Sequence, residues 1–332
     1  MSSQPKASIC IPSYNHARFL PETLESALAQ TYPNIEIIVV DDGSTDDSLR
    51  IAEAYAARHP SRVKVYTHPG GRNRGISATV NLGLEKSTGQ YHSGLPSDDA
   101  LHPEKIARQV AFLESHPEIG FVYSYARMMD AAGRDLPDQH GIDLSRDPHP
   151  VERMFEVNAI AGATVLARRE LILKASPHDE RLVYSDWDFW TRLLSLARVG
   201  FIGGEPLVRY RIHSYNTGAG VRHDIHLSHT LAVMEALREK APLTGGELNT
   251  PRARARLDER IEGLRRELHG LYLHEYHLAA QAGRMRAALP LLWRATRLAP
   301  REVMRPRRLA AELKNGLYGL LFKSKDSDGR SK

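Results

Sequence analysis

The sequence predicts an α/β protein, in which a doubly wound, mostly parallel sheet with flanking helices is followed by an α-helical C-terminal extension. From Ala7 to about His213, short β-branched runs alternate with stretches whose apolar residues recur at helical spacing, which is typical of βαβ units. Residues 35–40 are almost wholly apolar, as in strands buried on both faces of a parallel sheet. Beyond about Asp224, only helical patterns follow.

In the amino-terminal half, each predicted strand is followed by a predicted helix. Leu20, Leu24 and Leu28 recur at helical spacing until Pro33 ends the pattern. The polar segment 41–46 provides a turn and helix-capping residues after the second strand. The predicted strands are residues 8–11, 35–40, 62–67 and 91–95, and the predicted helices are residues 20–28, 49–54, 76–85 and 103–113.

The second half is predicted to contain further strands and then a change of architecture. Strands over residues 121–128 and 162–167 flank a Pro-, Asp- and His-rich stretch, residues 136–150, which is predicted to be a loop. A helix over residues 185–196 and a strand over residues 206–212 follow. Further helices are predicted over residues 227–237, 252–280, 284–298 and 309–322. We therefore expect two domains, residues 1–222 and residues 223–332.

The composition is that of a folded, soluble chain. Of the 332 residues, 42% are hydrophobic and 26% are charged, which excludes a disordered or collagen-like protein. No segment reaches the roughly 20 apolar residues of a membrane-spanning helix, and the polar start of the sequence lacks the pattern of a signal peptide. Cys10 is the only cysteine, so no internal disulfide can form. These features predict a cytoplasmic protein.

Charge is distributed unevenly along the chain. Residues 1–250 carry 26 Lys and Arg against 31 Asp and Glu, a net charge of −5, whereas residues 251–332 carry 19 against 9, a net charge of +10. Near the end, basic residues from Arg301 to Lys325 border apolar residues at helical spacing, among them Leu309 and Phe322. This pattern predicts a helix that lies on an anionic membrane surface. The alternative is a helix that packs on the protein's own body.

Paired carboxylates follow two of the predicted strands. Asp41 and Asp42 follow the second strand, and Asp98 and Asp99 follow the fourth. In an open α/β sheet, ligands bind beyond the carboxyl ends of the strands, where the strand order reverses. Four carboxylates at one edge would repel one another unless a cation offsets them, so a divalent metal that bridges an anionic ligand is one explanation. The other is that Asp42 and Asp46 cap a helix while Asp98 and Asp99 form an ordinary turn.

Other nucleotide-binding signatures are absent from the sequence. There is no Gly-x-Gly-x-x-Gly pattern after the first strand and no Gly-Lys-Ser/Thr loop of the Walker type. Their absence argues against dinucleotide oxidoreductases and P-loop enzymes.

Six segments resemble the family-2 glycosyltransferases with the GT-A fold. They are residues 8–15 (SICIPSYN), 30–46 (QTYPNIEIIVVDDGSTD), 73–75 (NRG) before Asn81, 97–99 (SDD), 186–190 (DWDFW) and 210–213 (YRIH). The segments follow the family's order over about residues 7–215, which is roughly two thirds of the chain. The VVDDGSTD block is the most specific of them.

The resemblance implies an inverting hexosyltransferase that uses a nucleotide-diphosphate sugar, most often linked to UDP. Pro12 and Tyr14 would line the nucleobase pocket, and Asp42 would accept a hydrogen bond from the base. Asp98 and Asp99 would hold the ribose and a Mg²⁺ or Mn²⁺ ion that bridges the diphosphate. Such a cation stabilises the charge that develops as the glycosidic bond breaks.

The resemblance also implies the catalytic base. Asp186 would take the proton from the acceptor hydroxyl, which attacks from the face opposite the leaving group. His213 would ligate the metal, Arg211 would pair with a phosphate, and residues 214–220 would fold over the site as a lid. For His213, the alternative is a solvated histidine at the end of a strand.

Three residues depart from the family's pattern: Pro96, Val80 and Ser185. Pro96 stands where an Asp commonly precedes Ser-Asp-Asp, which leaves Asp98 or Asp99 as the metal ligand. Val80 stands where an Arg is common, so Arg72 or Arg74 would make a phosphate contact instead. Ser185 replaces an acidic residue and leaves Asp186 as the only candidate base in its segment.

Two other functional classes are weighed against the active enzyme. The three departures fit a degenerate GT-A domain that binds a nucleotide or a glycan without catalysis. Sugar-phosphate nucleotidylyltransferases share the doubly wound fold but need a Gly-rich loop after the first strand, whereas residues 12–17 contain no glycine. Of these classes we expect the active enzyme, with a role in polysaccharide biosynthesis. Its acceptor would be a glycan or a lipid-linked glycan at the cytoplasmic membrane face, and no nucleic-acid partner is expected.

Overall fold

The computed structural model describes residues 4–214, residue 216 and residues 221–298. These residues form two compact units. The first comprises the described residues up to residue 216 together with Ala236–Arg254, and the second comprises Val221–Glu235 and the described residues from 255 onward. The predicted helix 309–322 and most of the predicted lid, 214–220, lie outside the described residues. The domain boundary at residue 222 stays a prediction.

Strands and helices alternate through the first part of the chain. The strands of the described residues are β1 (Ala7–Ser13), β2 (Ile35–Asp41), β3 (Val63–Thr67), β4 (Tyr91–Gly94), β5 (Ala100–Leu101), β6 (Ile119–Ser124), β7 (Ala126–Met129), β8 (Asp135–His140), β9 (Leu166–Arg168), β10 (Arg198–Ile202) and β11 (Val208–Arg211). The α-helices are α1 (Leu20–Leu28), α2 (Ser48–Arg58), α3 (Ile76–Lys86), α4 (Lys105–Ser115), α5 (Pro150–Glu156), α6 (Arg169–Ala175), α7 (Ser185–Leu196), α8 (His223–Thr244), α9 (Pro251–Gln281) and α10 (Met285–Leu298).

The larger sheet has seven strands in the order β3-β2-β1-β4-β9-β6-β10. All its strand pairs are parallel except the two made by β9, which runs antiparallel to β4 and β6. This confirms the predicted mostly parallel, doubly wound sheet. Because β1 lies between β2 and β4, the strand order reverses beside β1, and ligands bind at the carboxyl side of such a reversal.

The central strands are buried on both faces, as the almost unbroken apolar run of residues 35–40 predicts. Ile37 and Val39 belong to the main hydrophobic core on one face of the sheet. Ile38 and Val40 form a smaller cluster with Cys10 on the other face. Successive side chains of a strand point to opposite faces, so apolar residues are favoured at odd and even positions alike.

A second sheet has four strands in the order β5-β11-β7-β8, and all four follow β4 in the sequence. The two-residue strand β5 begins directly after Asp99 and pairs antiparallel with β11, with Leu101 opposite Val208. Strand β11 also pairs parallel with β7. This pairing brings the end of β11 to the Asp98–Asp99 turn.

Three sequence predictions are wrong in detail. The strand predicted over 121–128 is two strands, β6 and β7, which separate at Tyr125 into different sheets, and the apolar pattern runs through the break without marking it. The loop predicted over 136–150 contains most of β8, a largely exposed edge strand whose polar residues hide the strand pattern. The strand predicted over 162–167 starts with the 3₁₀ turn Gly162–Thr164, and the strand itself is Leu166–Arg168.

The helical prediction for the described residues after 224 is confirmed by α8, α9 and α10. In the second unit, Tyr276 and Ala279 of α9 pack with Ala288 and Leu292 of α10 to form a separate small core. None of the helices in the described ranges has the length and apolarity needed to cross a membrane.

A lysine lies inside the first unit at the start of α4. The Lys105 side chain is fully buried, and its Nζ donates hydrogen bonds to Ser93 Oγ at 2.8 Å and to the Val165 carbonyl at 3.2 Å. Burial disfavours the charged form and lowers the pKa of Lys105 to about 7. Ser93 Oγ also donates to the Val165 carbonyl at 2.8 Å, so these two groups keep a partner if the amine is removed.

We predict that Lys105→Met raises the free energy of unfolding at pH 7 by about 1–3 kcal/mol, because no amine then has to lose its proton on burial. Between pH 7 and 10 the unfolded wild-type chain binds the proton that the folded chain releases, so wild-type stability rises with pH there. The variant should lose this rise. Denaturant unfolding at pH 7 and pH 9 measures both effects, with Lys64→Met on the exposed side of β3 as the control. An unchanged pH dependence would contradict the prediction.

Candidate active site

The candidate site lies at the carboxyl ends of β1, β2 and β4. Ser13 at the end of β1 pairs with Asp41 at the end of β2, and the Leu95 N–H after β4 donates to the Cys10 carbonyl of β1 at 2.8 Å. The three strand ends are therefore aligned. The polar segments that follow them, 14–16, 42–46 and 96–99, leave the sheet at the same edge.

Asp42 holds the turn that leads into α3. Its carboxylate is 3% exposed and accepts hydrogen bonds from the backbone N–H groups of Arg74 at 2.7 Å and Gly75 at 2.9 Å. These donors lie at the amino end of α3, where a negative charge is favoured. His68 Nε2 lies 3.5 Å from the same carboxylate. The structure thus gives Asp42 a role in positioning the turn, and its predicted contact with a nucleobase stays a prediction.

Gly43 allows another segment to pass close to the end of β2. Its φ angle is +73°, and a Cβ atom there would lie 2.7 Å from the Gly71 carbonyl oxygen and 2.8 Å from the Asn73 nitrogen. A side chain at residue 43 would therefore collide with the backbone of residues 71–73 as well as strain its own backbone.

The residues predicted to bind the donor lie around these strand ends. Pro12 is half-buried within β1, and Tyr14, which follows the strand, is 44% exposed. The next residue, Asn15, joins Tyr14 to the segment after Asp42, because its N–H donates to Ser44 Oγ at 3.0 Å. The Arg74 guanidinium makes a half-exposed ion pair with Glu180 at 3.3 Å.

The Asp98–Asp99 turn is buried. Asp98 Oδ2 lies 2.9 Å from His213 Nε2, and Asp99 Oδ1 accepts a hydrogen bond from the Arg211 N–H at 2.8 Å. Asp99 Oδ2 has no hydrogen-bond partner among the described residues. Burial and the neighbouring charge of Asp98 raise the pKa of Asp99 well above its usual value.

Arg211 stabilises the Asp98–Asp99 turn. Its side chain is almost fully buried, its Nε donates to the Asp98 carbonyl at 2.7 Å, and its guanidinium pairs with Glu22 and lies over the Phe19 ring, 4.9 Å from the ring centroid. These contacts hold the Asp98–Asp99 turn in place. A phosphate contact for Arg211 stays a prediction.

Three side chains form a compact group that could bind a metal: His16, Asp98 and His213. Each offers one ligand atom, and these atoms lie within 4.8 Å of one another. Asp99 is not part of this group. Sequence reasoning missed His16, although its place directly after the Tyr14-Asn15 pair at the end of a strand was a usable signal. Burial lowers the pKa of His16, and the charge of Asp98 partly opposes this shift.

Asp186, the predicted base, lies in the first turn of α7. Asn158 Nδ2 donates to its Oδ2 at 3.0 Å, and burial raises the pKa of Asp186. Burial and the negative charges of Asp99, Asp98 and Asp186 raise the pKa of Tyr210 to about 12. The contact with Asn158 was not predicted.

The helix that carries Asp186 is anchored by its buried face. Trp187 and Trp190 are 5% and 7% exposed, and Trp187 Nε1 donates to the Met154 carbonyl at 2.5 Å. Asp188 is fully buried and pairs with Arg192 at 2.8 Å and with Lys240 at 2.9 Å. These contacts fix α7 and therefore the position of the Asp186 carboxylate.

Comparisons with known structures show the same fold. TarS of S. aureus in complex with UDP-GlcNAc superposes with a TM-score of 0.61 over 98% of this chain and 93% of that chain, at 20% identity. The mannosyltransferase PcManGT from Pyrobaculum calidifontis, in complex with GDP-Man and Mn²⁺, gives a TM-score of 0.56 over 98% of this chain and 83% of that chain, at 18% identity. These neighbours confirm the predicted GT-A type of fold.

Comparisons of sequence give the family. The sequence model described as glycosyl transferase family 2 matches residues 8–172. An uncharacterized glycosyltransferase of Rickettsia prowazekii is 34% identical over 64% of this chain and 66% of its own length. The putative glycosyltransferase EpsE of Bacillus subtilis is 31% identical over 64% of this chain and 74% of its own length. This chain spans about two thirds of the first relative and three quarters of the second, and it belongs to glycosyltransferase family 2.

Proposed function

We propose that this chain transfers a hexose from a nucleotide-diphosphate donor to a hydroxyl group of a glycan or lipid-linked glycan, with inversion at the anomeric carbon. The observation that carries the proposal is the group formed by His16, Asp98 and His213, whose ligand atoms lie within 4.8 Å of one another, with Asp98 in the segment that follows β4. The neighbours in complex with UDP-GlcNAc and GDP-Man support a nucleotide-sugar donor. We expect a UDP-sugar.

Donor binding is assigned to the ends of β1 and β2. Pro12 and Tyr14 would line the nucleobase pocket. Asp42 would still accept a hydrogen bond from a base, because each carboxylate oxygen offers two acceptor positions and the backbone uses one of each. Arg74 would exchange its half-exposed pair with Glu180 for a phosphate, since such surface pairs contribute little stability.

We assign a Mg²⁺ or Mn²⁺ ion to Asp98 and His213, with Asp99 as the second candidate carboxylate. The residues fit such an ion because Asp98 Oδ2 and His213 Nε2 lie 2.9 Å apart, close to the roughly 3 Å between adjacent ligands of an octahedral ion. The buried Asp99 Oδ2 has no donor among the described residues, so this oxygen has no competing hydrogen bond there. A bound ion would stabilise the charge that develops on the leaving diphosphate.

Asp186 is the proposed general base. Its carboxylate takes the proton of the acceptor hydroxyl as the hydroxyl oxygen bonds to the anomeric carbon, and the bond from that carbon to the diphosphate oxygen breaks on the opposite face. The raised pKa of Asp186 makes it a stronger base than an exposed aspartate. The hydrogen bond from Asn158 orients the carboxylate toward the acceptor.

We predict that Asp186→Asn lowers turnover by about 10²–10⁴-fold and leaves donor binding almost intact, because the amide has nearly the same shape but cannot accept the proton. Release of nucleoside diphosphate from a panel of UDP- and GDP-sugars with Mn²⁺ measures turnover, and calorimetric titration with UDP or GDP measures binding. Asp47→Asn, at an exposed carboxylate before α2, is the matched control.

Two outcomes would count against this assignment. An Asp186→Asn variant that kept more than about a tenth of wild-type turnover would remove Asp186 as the base. A wild-type protein that binds UDP or GDP but turns over no donor would favour the degenerate, nucleotide-binding alternative.

The acid side of the pH profile should depend on Asn158. Asp186 must be ionised to act, so activity is lost as the pH falls through the pKa of its carboxyl group, which burial raises. Asn158→Ala removes a hydrogen bond that favours the ionised form and should raise that pKa further. We expect the acid limb of kcat/KM to move up by about 0.5–1 pH unit. Asn34→Ala, at the opposite end of β2, is the control, and an unmoved limb in Asn158→Ala would refute the coupling.

A peripheral location on the cytoplasmic membrane face is proposed from the sequence of the basic C-terminal region alone. The net charge of +10 over residues 251–332 would favour an anionic lipid surface by about 1 kcal/mol per basic residue close to it. Co-sedimentation with anionic vesicles should therefore fall when the chain is truncated after Pro300, and the binding of the full chain should weaken with salt. Equal sedimentation of the two chains would refute membrane docking by this segment.

A further inference from the structure

His16 brings a second imidazole to the Asp98–His213 pair. The ligand atoms of these three residues lie within 4.8 Å of one another. They come from three separate segments, after β1, after β4 and after β11. Within the described part of the chain, this is the group of His, Cys, Asp or Glu side chains compact enough to hold a metal ion.

Contacts with neighbouring residues hold His16 in this group. Its Nδ1 lies 2.8 Å from Ser97 Oγ, and its backbone N–H donates to Ser48 Oγ at 2.9 Å. Its ring stands at 90° to the ring of His213, with the centroids 5.7 Å apart. A His16 that donates Nδ1–H to Ser97 keeps the lone pair of Nε2 for a metal, and such a second hydrogen bond is what usually orients a ligand histidine.

The acidic turn beside His16 presents carboxylate oxygens that a cation could bind. Asp98 Oδ2 is close to His213 Nε2 at 2.9 Å and to Asn216 Nδ2 at 3.4 Å. Asp99 Oδ2 accepts no hydrogen bond from the described residues, although it is buried. A cation among the three ligand atoms would be attracted to the Asp98 carboxylate, whose Oδ2 already lies beside His213 Nε2.

We propose that His16 is a third protein ligand of the divalent metal, beside Asp98 and His213, and that it makes the site select Mn²⁺ over Mg²⁺. This inference rests on the proposed metal-dependent function. Mg²⁺ prefers oxygen ligands and keeps its waters, whereas imidazole nitrogen binds first-row transition metals more readily. A site with two imidazoles therefore favours Mn²⁺, and the loss of one imidazole reduces that preference.

The test compares His16→Asn with the wild-type chain. The Asn amide occupies the position of Nδ1 and keeps the contact with Ser97, but it has no atom at the position of Nε2. In the presence of UDP, the affinity for Mn²⁺, measured from the electron paramagnetic resonance signal of the free ion, should fall by about tenfold or more. The affinity for Mg²⁺, measured by competition, should change by less than about twofold.

A spectroscopic readout separates ligation from a structural role. Electron spin echo envelope modulation of the bound Mn²⁺ should show nitrogen coupling from two imidazoles in the wild-type protein and from one in His16→Asn. The control is His116→Asn, which changes a histidine stacked on Phe112 at the end of α4 and should leave both measurements unchanged.

The possible outcomes separate the role of His16 from the proposed metal-dependent function. Unchanged Mn²⁺ affinity and nitrogen coupling in His16→Asn, with loss of Mn²⁺ binding in Asp98→Asn, would overturn the role of His16 and leave the proposed function standing. A wild-type protein that binds no Mn²⁺ with or without UDP would overturn both. If circular dichroism shows that His16→Asn does not fold, His16→Gln replaces it, with the same loss of one imidazole coupling and a reduced preference for Mn²⁺.

Discussion

The antiparallel pairing of β5 with β11 is the interaction on which the rest of the site depends. It aligns only Ala100 and Leu101 with Arg209 and Val208, yet it joins segments of the chain that are more than 100 residues apart. Closing so long a loop costs conformational entropy, and the pairing of two strand residues does not offset that cost alone. The additional stabilisation comes from Arg211, whose backbone and guanidinium bind the Asp98–Asp99 turn across 112 and 113 residues. Because this register fixes the end of β11, it also fixes the approach of the histidine two residues later to Asp98.

The larger sheet could be predicted from the sequence because its central strands have no solvent-exposed face. Every position of β2 is buried, so the apolar run marks both the strand and its parallel, sandwiched environment. The second sheet carries no comparable pattern. Strand β5 is two residues long, and the residues of β8 are mostly exposed, so their partners rather than their composition make them strands. The break at Tyr125 was hidden for a different reason, because the apolar pattern continues from β6 into β7.

The candidate site also contains both residues that the sequence predicts and contacts that it does not. The aspartates at the strand ends and at the start of α7 could be identified because each lies in a short segment of sequence that resembles the family. The contacts of His16 and Asn158 could not, because they join segments 81 and 28 residues apart. Arg211 shows a further limit, since the resemblance implies only a phosphate contact for it. Its burial and its donation to the Asp98 carbonyl could not be predicted, because they depend on a residue 113 positions away.

The close approach at Gly43 joins two parts of the molecule that are separate in the sequence. The backbone of residues 71–73 fills the space that a side chain at residue 43 would need, while Asp42 holds the two residues that follow this segment. A descendant of this chain can therefore acquire a larger residue at position 43 only if the segment before α3 is rebuilt at the same time. Natural variation at these positions should be correlated, and an insertion in residues 70–75 should accompany any loss of the glycine.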